Sequence, residues 1–263
     1  MHNLAFKKTG LSFVYVAARV DNEAVEQAVR GLAALGFRGA NVTIPHKRNV
    51  IPYLDELTPR AEATGAVNTI ICEGDGARTH LVGDNTDVQG FLDPLAPLQE
   101  KLRGKTAVIL GSGGAARAVV YALLDVLELP HVYLVTRNPK AAPEDLAGTD
   151  RLSVIGYEEA HDAIGRSSLV VNATPVGMSP DVRATPWQDA DVFGSDHIVY
   201  DLIYNPKPTR LLVEAGERGA TVIDGLDMLI GQAAAAFAKW TGEEMPVGAI
   251  RKELLRSLEA QPG

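Results

Sequence analysis

Val108-Ile109-Leu110-Gly111-Ser112-Gly113-Gly114-Ala115-Ala116 decides the fold: an apolar strand runs straight into a glycine-rich turn and then into a helical pattern. Gly111 and Gly113 suit the first two positions of a dinucleotide-binding loop, and Ala116 suits the third. The first position makes the tight turn, the second lets backbone approach a pyrophosphate, and the third needs a small residue for helix–sheet packing. The start of the following helix offers N–H donors and a positive dipole end to phosphate. A Gly-rich turn alone is a weak signal, but here strand, turn, helix and second strand come in the required order. The loop set is Gly111, Ser112, Gly113, Gly114 and Ala115.

The second strand, His131 to Val135, ends in Thr136-Arg137-Asn138-Pro139-Lys140. A carboxylate there would take the ribose 2′-hydroxyl of NAD. None occurs before Glu144, whereas Arg137 can grip a 2′-phosphate and Lys140 adds charge. The reading is NADP, with Thr136, Arg137, Asn138 and Lys140 at its adenosine end.

Outward from this core, short apolar strands recur at Thr106 to Leu110, Leu152 to Ile155, Leu169 to Asn172, Ile198 to Leu202 and Thr221 to Ile223. Helical stretches separate most of them, Ser112 to Asp125 among these. That alternation predicts a parallel sheet covered on both faces. Upstream, residues 1–10 read as a helix, Ser12 to Val16 as a strand, and Val25 to Leu35 as a helix ended by Gly36. Gly39 to Thr43 reads as a strand, and a helix from about Arg48 to Leu54 is interrupted by Pro52. Thr58-Pro59 starts a helix, Ala66 to Cys72 and Ala77 to Val82 are strands, and Glu73-Gly74-Asp75-Gly76 is the turn between them. A helix from Val88 to Leu95 follows the polar run Gly83 to Asp87, and the prolines near Asp93 to Pro97 mark a linker. Two helices close the chain, Leu226 to Trp240 and Val247 to Leu258. The expected molecule is an α/β protein of two lobes with a cleft between them. Residues 1–92, completed by 226–263, form a small substrate-binding domain, and residues 93–225 form a Rossmann-like NADP-binding domain with a parallel sheet.

Composition narrows the function. The 263 residues carry a net charge of -8, which argues against a nucleic-acid backbone binder. One cysteine excludes an internal disulfide and fits a reducing cytoplasm. The six histidines are scattered without ligand spacing, so no metal is expected. No apolar run is long enough for a membrane span, and Lys7-Lys8 interrupt the first apolar stretch, against a signal peptide.

The stretch Asn41-Val42-Thr43-Ile44-Pro45-His46-Lys47 ends a strand in a proline turn and presents Thr43 and Lys47 at its mouth. Taken in order with Gly65-Ala66-Val67-Asn68-Thr69, Asn85-Thr86-Asp87, the Gly111 loop, Thr136-Arg137-Asn138, Asn172 to Met178, Tyr200 to Pro206 and Gly225 to Gln232, it resembles shikimate dehydrogenase, the NADP-dependent family that reduces 3-dehydroshikimate. The resemblance implies a step of chorismate and aromatic amino-acid biosynthesis in the cytoplasm. It implies Lys47 as proton donor and acceptor, paired with Asp87. Thr43, Lys47, Asn68, Asp87, Tyr204 and Gln232 would hold the substrate, and Leu202 and Gly225 would flank the nicotinamide. The residue types agree: hydride transfer to a ketone leaves charge on oxygen, and a lysine ammonium can supply the proton. The partner is a small molecule, with no nucleic acid and no membrane. Oligomeric state is not readable, and a homodimer stands as the expectation.

The chain departs from the family pattern at its start. A strand and a Ser-x-Ser-Pro loop normally precede Met-His-Asn, which here is Met1-His2-Asn3. The preferred expectation is an internal methionine of a longer protein; the competing one is an NADP-binding relative without catalysis. A quinate/shikimate dehydrogenase with relaxed cofactor choice is the rival among enzymes.

Overall fold

The computed structural model describes residues 1–74, 79–141 and 149–259. The chain forms two compact units, Met1–Gly90 with Ile230–Gly263 and Phe91–Leu229.

In the first unit, four strands form a mixed sheet: β1 (Gly39–Asn41), β2 (Glu56–Leu57), β3 (Thr69–Glu73) and β4 (His80–Asp84), in the order β1-β3-β4-β2. The central pair β3/β4 is antiparallel and registers Thr69 opposite Asp84. Helix Val25–Ala34 lays Val25 and Val29, one turn apart, into a core with Ile70, Cys72 and Leu81. A second core joins Ala5 and Phe6 of helix His2–Thr9 to Ala233 and Phe237 of helix Leu226–Thr241 and Ile250 of helix Val247–Glu259. Gly39 is where helix Leu226–Thr241 meets the sheet. Trp240 Nε1 donates to Ile70 O at 2.9 Å, and a Cβ on Gly39 would stand 2.1 Å from that indole nitrogen.

Several local expectations change here. Ser12 to Val16 pairs with no strand. Both backbone groups of Tyr15 are taken by the Asn3 side chain, Nδ2 donating to Tyr15 O at 2.8 Å and Oδ1 accepting from Tyr15 N at 2.7 Å. Phe13, Val14 and Val16 are exposed, so aromatic and branched residue types alone do not make a strand when the backbone groups bond elsewhere. The helix expected from Arg48 to Leu54 contracts to one 3-10 turn, Ile51–Tyr53, around Pro52, whose ring has no N–H to give. Asp75 and Gly76 of the expected hairpin turn, like Glu144, lie outside the described residues.

The second unit matches the parallel-sheet reading closely. Its strands are β5 (Thr106–Leu110), β6 (His131–Val135), β7 (Leu152–Ile155), β8 (Leu169–Asn172), β9 (Ile198–Asp201) and β10 (Thr221–Ile223). They form one six-stranded sheet, β10-β9-β8-β5-β6-β7, and every pairing is parallel. All residues of β8 and β9 are buried, which is why they read as continuous apolar runs rather than alternations. The chain leaves β5 toward β6 and β7, then crosses back to place β8 on the other side of β5. The carboxyl ends of β5 and β8 therefore flank the topological switch point where open α/β sheets take ligands. Helix Gly114–Tyr121 opens there and continues as a π-helical turn, Ala122–Val126, where a longer α-helix was expected.

Candidate functional site

Lys47 is placed by its backbone before its side chain. The segment from β1 into the proline turn is pinned along the start of β3: Val42 N donates to Asn68 O, and Val67 N donates to Lys47 O, both at 2.7 Å. This brings Lys47 beside Asn68, although the turn itself is irregular. Lys47 Nζ donates to Asp87 Oδ2 at 2.6 Å, and Asn68 Nδ2 donates to Asp87 Oδ1 at 2.8 Å. One carboxylate thus joins the lysine to the amide, with the Lys47 and Asp87 side chains only 14% and 8% exposed.

Asp87 opens helix Asp87–Leu92, where a negative charge is favoured by the helix dipole. It does not cap the helix. Asn85 accepts from Asp87 N at 3.1 Å instead and anchors its own amide on Ala66 O and Thr64 Oγ1. The Asp87 carboxylate is left for Lys47 and Asn68. Asn68 is locked as well: its Oδ1 accepts from Thr86 N at 2.7 Å and from Thr69 Oγ1 at 3.0 Å. Thr86 and Thr69 are bonding neighbours of this cluster that residue-type reasoning missed; each carried a signal only as part of a motif, Asn85-Thr86-Asp87 and Gly65 to Thr69. Thr43 is exposed in the turn, its carbonyl accepting from His46 N at 2.9 Å. Gln232 sits half-buried on helix Leu226–Thr241.

The other predicted residues belong to the second unit. Gly111 follows β5 at a φ of 100°, a conformation that only glycine adopts freely, and its N–H donates to Val135 O at 2.8 Å. A Cβ there would meet Thr174 Cγ2 at 2.6 Å. Gly113 faces open space, with nothing within 4 Å of a Cβ, so a ligand can approach its backbone. Gly114 and Ala115 begin the helix, and Ser112 Oγ donates to Thr136 Oγ1 at 3.2 Å. Arg137, Asn138 and Lys140 follow β6 and are exposed. A glycine cradle open to a ligand, a helix start and two exposed cations beyond the second strand fit a dinucleotide that carries an extra phosphate. Leu202 and Gly225 are in direct contact: Gly225 N donates to Ile203 O at 3.0 Å, and a Cβ on Gly225 would lie 2.1 Å from Leu202 O. Tyr204, just past β9, is 40% exposed.

No group of three or more metal-ligating side chains occurs among the described residues, and no described helix is long and apolar enough to cross a membrane.

A six-stranded parallel sheet with a glycine cradle at its switch point, on a chain that also carries a lysine–carboxylate pair, defines a dinucleotide-dependent dehydrogenase of the Rossmann class. Comparison with known proteins narrows the class. Residues 1–70 match the model described as shikimate dehydrogenase substrate binding domain, and residues 225–255 match the shikimate 5'-dehydrogenase C-terminal domain. The shikimate dehydrogenase (NADP(+)) of Salinibacter ruber is 51% identical over 258 residues, covering 95% of this chain and 89% of that protein. The crystal structure of shikimate 5-dehydrogenase from Thermus thermophilus, in complex with NADP(H) and shikimate, is similar with a TM-score of 0.82 and 35% identity, covering 98% of this chain and 93% of that one. Quinate dehydrogenase from Corynebacterium glutamicum, in complex with NAD, is similar with a TM-score of 0.86 and 31% identity, covering 97% of this chain and 92% of that one. The chain belongs to the shikimate dehydrogenase family.

Proposed function

We propose that the chain catalyses the reversible NADP-dependent reduction of 3-dehydroshikimate to shikimate, a step of chorismate and aromatic amino-acid biosynthesis. The observation that carries the catalytic assignment is the Lys47–Asp87–Asn68 contact, at 2.6 and 2.8 Å, in a chain 51% identical to an NADP-dependent member of the family.

NADPH, when bound, supplies the hydride. Gly111, Ser112, Gly113, Gly114 and Ala115 would hold its pyrophosphate, and Thr136, Arg137, Asn138 and Lys140 its adenosine phosphate. Leu202 and Gly225 would border its nicotinamide. The Lys47 ammonium donates a proton to the carbonyl oxygen as charge develops on it, and the free amine takes the proton back in the oxidation of shikimate. An ammonium has three N–H donors. Asp87 Oδ2 takes one and leaves the others for the substrate. Asn68 serves the substrate through the Asp87 carboxylate that it orients. Thr43, Tyr204 and Gln232 complete the proposed substrate set. The quinate alternative and the non-catalytic alternative are not favoured: the NAD-carrying quinate dehydrogenase shares 31% identity, against 51% for the NADP-dependent shikimate relative. A cytoplasmic location and a homodimer go with this reading, and fractionation and sedimentation test them.

The experiment is NADPH oxidation with 3-dehydroshikimate as acceptor. Lys47→Ala should lower kcat by roughly 10²- to 10⁴-fold while the NADPH dissociation constant stays within a factor of about two. Undiminished turnover in that variant would remove Lys47 from the proton transfer.

A further inference from the structure

At the carboxyl edge of the parallel sheet one buried carboxylate takes no part in the chemistry above. Asn172 ends β8 and Asp201 ends β9; the two are paired across the strands, and both are 0% exposed. Asp201 Oδ1 accepts from Asn172 Nδ2 at 2.9 Å and from Ile203 N at 3.1 Å, and Asp201 Oδ2 accepts from Thr209 Oγ1 at 2.7 Å. All three donors lie at or beyond strand ends, in the segments that leave the sheet on its ligand side.

The two bonds at Oδ1 set the shape of two loops. A carboxylate facing an amide requires its Nδ2 side, so Asn172 must turn Oδ1 the other way. There Oδ1 accepts from Thr174 N at 3.0 Å and Thr174 Oγ1 at 2.7 Å, and the Thr174 hydroxyl oxygen accepts from Val176 N at 3.2 Å. This fixes the side chain whose Cγ2 would stand 2.6 Å from a Cβ on Gly111, so Thr174 walls the first glycine of the cradle. On the other side, the bond to Ile203 N sets the turn out of β9. That turn presents Ile203 O to Gly225 N at 3.0 Å and packs Leu202 O against Gly225 Cα.

We propose that Asp201 is a positioning residue for the cofactor, holding through Asn172 and Ile203 the Thr174 wall of the glycine cradle and the Leu202–Gly225 contact in register with each other. The inference rests on the NADP-dependent reading of the second unit and deepens it: one carboxylate sets the geometry at both the pyrophosphate and the nicotinamide parts of the dinucleotide surface. A purely structural role would lower stability without a selective loss of NADPH affinity, so the two roles separate in binding measured on folded variants.

The test uses the full chain and three variants, with NADPH binding followed by fluorescence titration beside kcat, the KM for 3-dehydroshikimate and the melting temperature. Asp201→Asn keeps an acceptor at Oδ1 and turns an amide donor toward Thr209 Oγ1, so it should bind NADPH within about twofold of wild type. Asp201→Ala removes all three acceptors and should weaken NADPH about tenfold or more with the KM for 3-dehydroshikimate little changed. Thr174→Val deletes the hydroxyl on a half-buried side chain without unfolding the sheet, and should weaken NADPH roughly fivefold at an unchanged melting temperature. That variant carries the test if Asp201→Ala does not fold. Wild-type NADPH affinity in Thr174→Val, or equal loss in Asp201→Asn and Asp201→Ala, would overturn the proposal. A wild-type chain that binds no NADPH would instead overturn the cofactor reading, and the positioning role with it.

Discussion

Asp84 and Asp201 each end a strand out of reach of water, yet their protons respond in opposite ways. For Asp84, burial raises the pKa, but bonds from Lys239 Nζ and Thr58 Oγ1 and the lysine charge outweigh it and hold the carboxyl below its ordinary range. For Asp201, burial prevails over the bonds from Thr209, Ile203 and Asn172, Asp224 adds like charge, and the carboxyl is pushed up to about 6. The difference is a cation: Asp84 faces one, and Asp201 is bonded only by neutral donors. Since the folded Asp201 keeps its proton above the ordinary 3.8, the native state holds more protons than the unfolded chain between about pH 4 and pH 6. Stability from this group is present at low pH and falls as pH rises through that window, by up to about 3 kcal/mol. Asp201→Asn should flatten that fall, as read from urea midpoints between about pH 4 and pH 7 in both proteins; an identical slope in the variant would refute the assignment. Asp84 works the other way, since its contribution is lost only as pH drops below the usual carboxylate range. At this scale Lys47, Asp87 and Asn68 were legible because residue type and neighbouring motif coincide. Asp201 was hidden inside an apolar run read as Ile198 to Leu202, and its amide partner lies 29 residues away.

Among the elements, the glycine cradle is the most sharply determined. Gly111→Ala brings two penalties together: a left-handed φ of 100° and a Cβ 2.6 Å from Thr174 Cγ2. Thr174 cannot rotate away without giving up Asn172 and Val176 N. The substitution should cost about 1–3 kcal/mol of stability and weaken NADPH binding, as a denaturant melt and a titration of the same preparation would show. A stable variant with full NADPH affinity would mean that the loop relaxes easily. The strands of the second unit were readable nearly to the residue: β8 and β9, buried throughout, advertise themselves as short apolar runs between turns, and the less buried edge strands β7 and β10 keep branched apolar residues. Ser12 to Val16 shows the limit of the same method. It is rich in aromatic and branched residues, but Phe13, Val14 and Val16 are exposed, and the Asn3 amide takes the Tyr15 backbone groups that a ladder would need.

For the whole molecule, ligand linkage is the accessible test of cofactor choice. At about 100 times its dissociation constant a ligand of the native state adds about 2.7 kcal/mol, roughly 5 °C in melting temperature for a chain of this size. NADP should produce that shift and NAD at equal concentration a smaller one, with the gap closing in Arg137→Ala. Equal shifts from both cofactors in the unaltered chain would remove the claim of Arg137 on the 2′-phosphate. The amino-acid sequence by itself determined the α/β class, the parallel sheet, the dinucleotide loop after β5, the lack of a carboxylate at the end of β6 and the family. Each of these is written in local periodicity, turn chemistry or motif order, which a chain carries before it folds. Only the tertiary structure decided which groups meet. Lys47 finds Asp87 across 40 residues, Asn68 closes on the same carboxylate across 19, and Asp201 settles the orientation of Asn172. Such partners are chosen when packing brings distant segments together, and a residue's type says that it needs a partner but not which one.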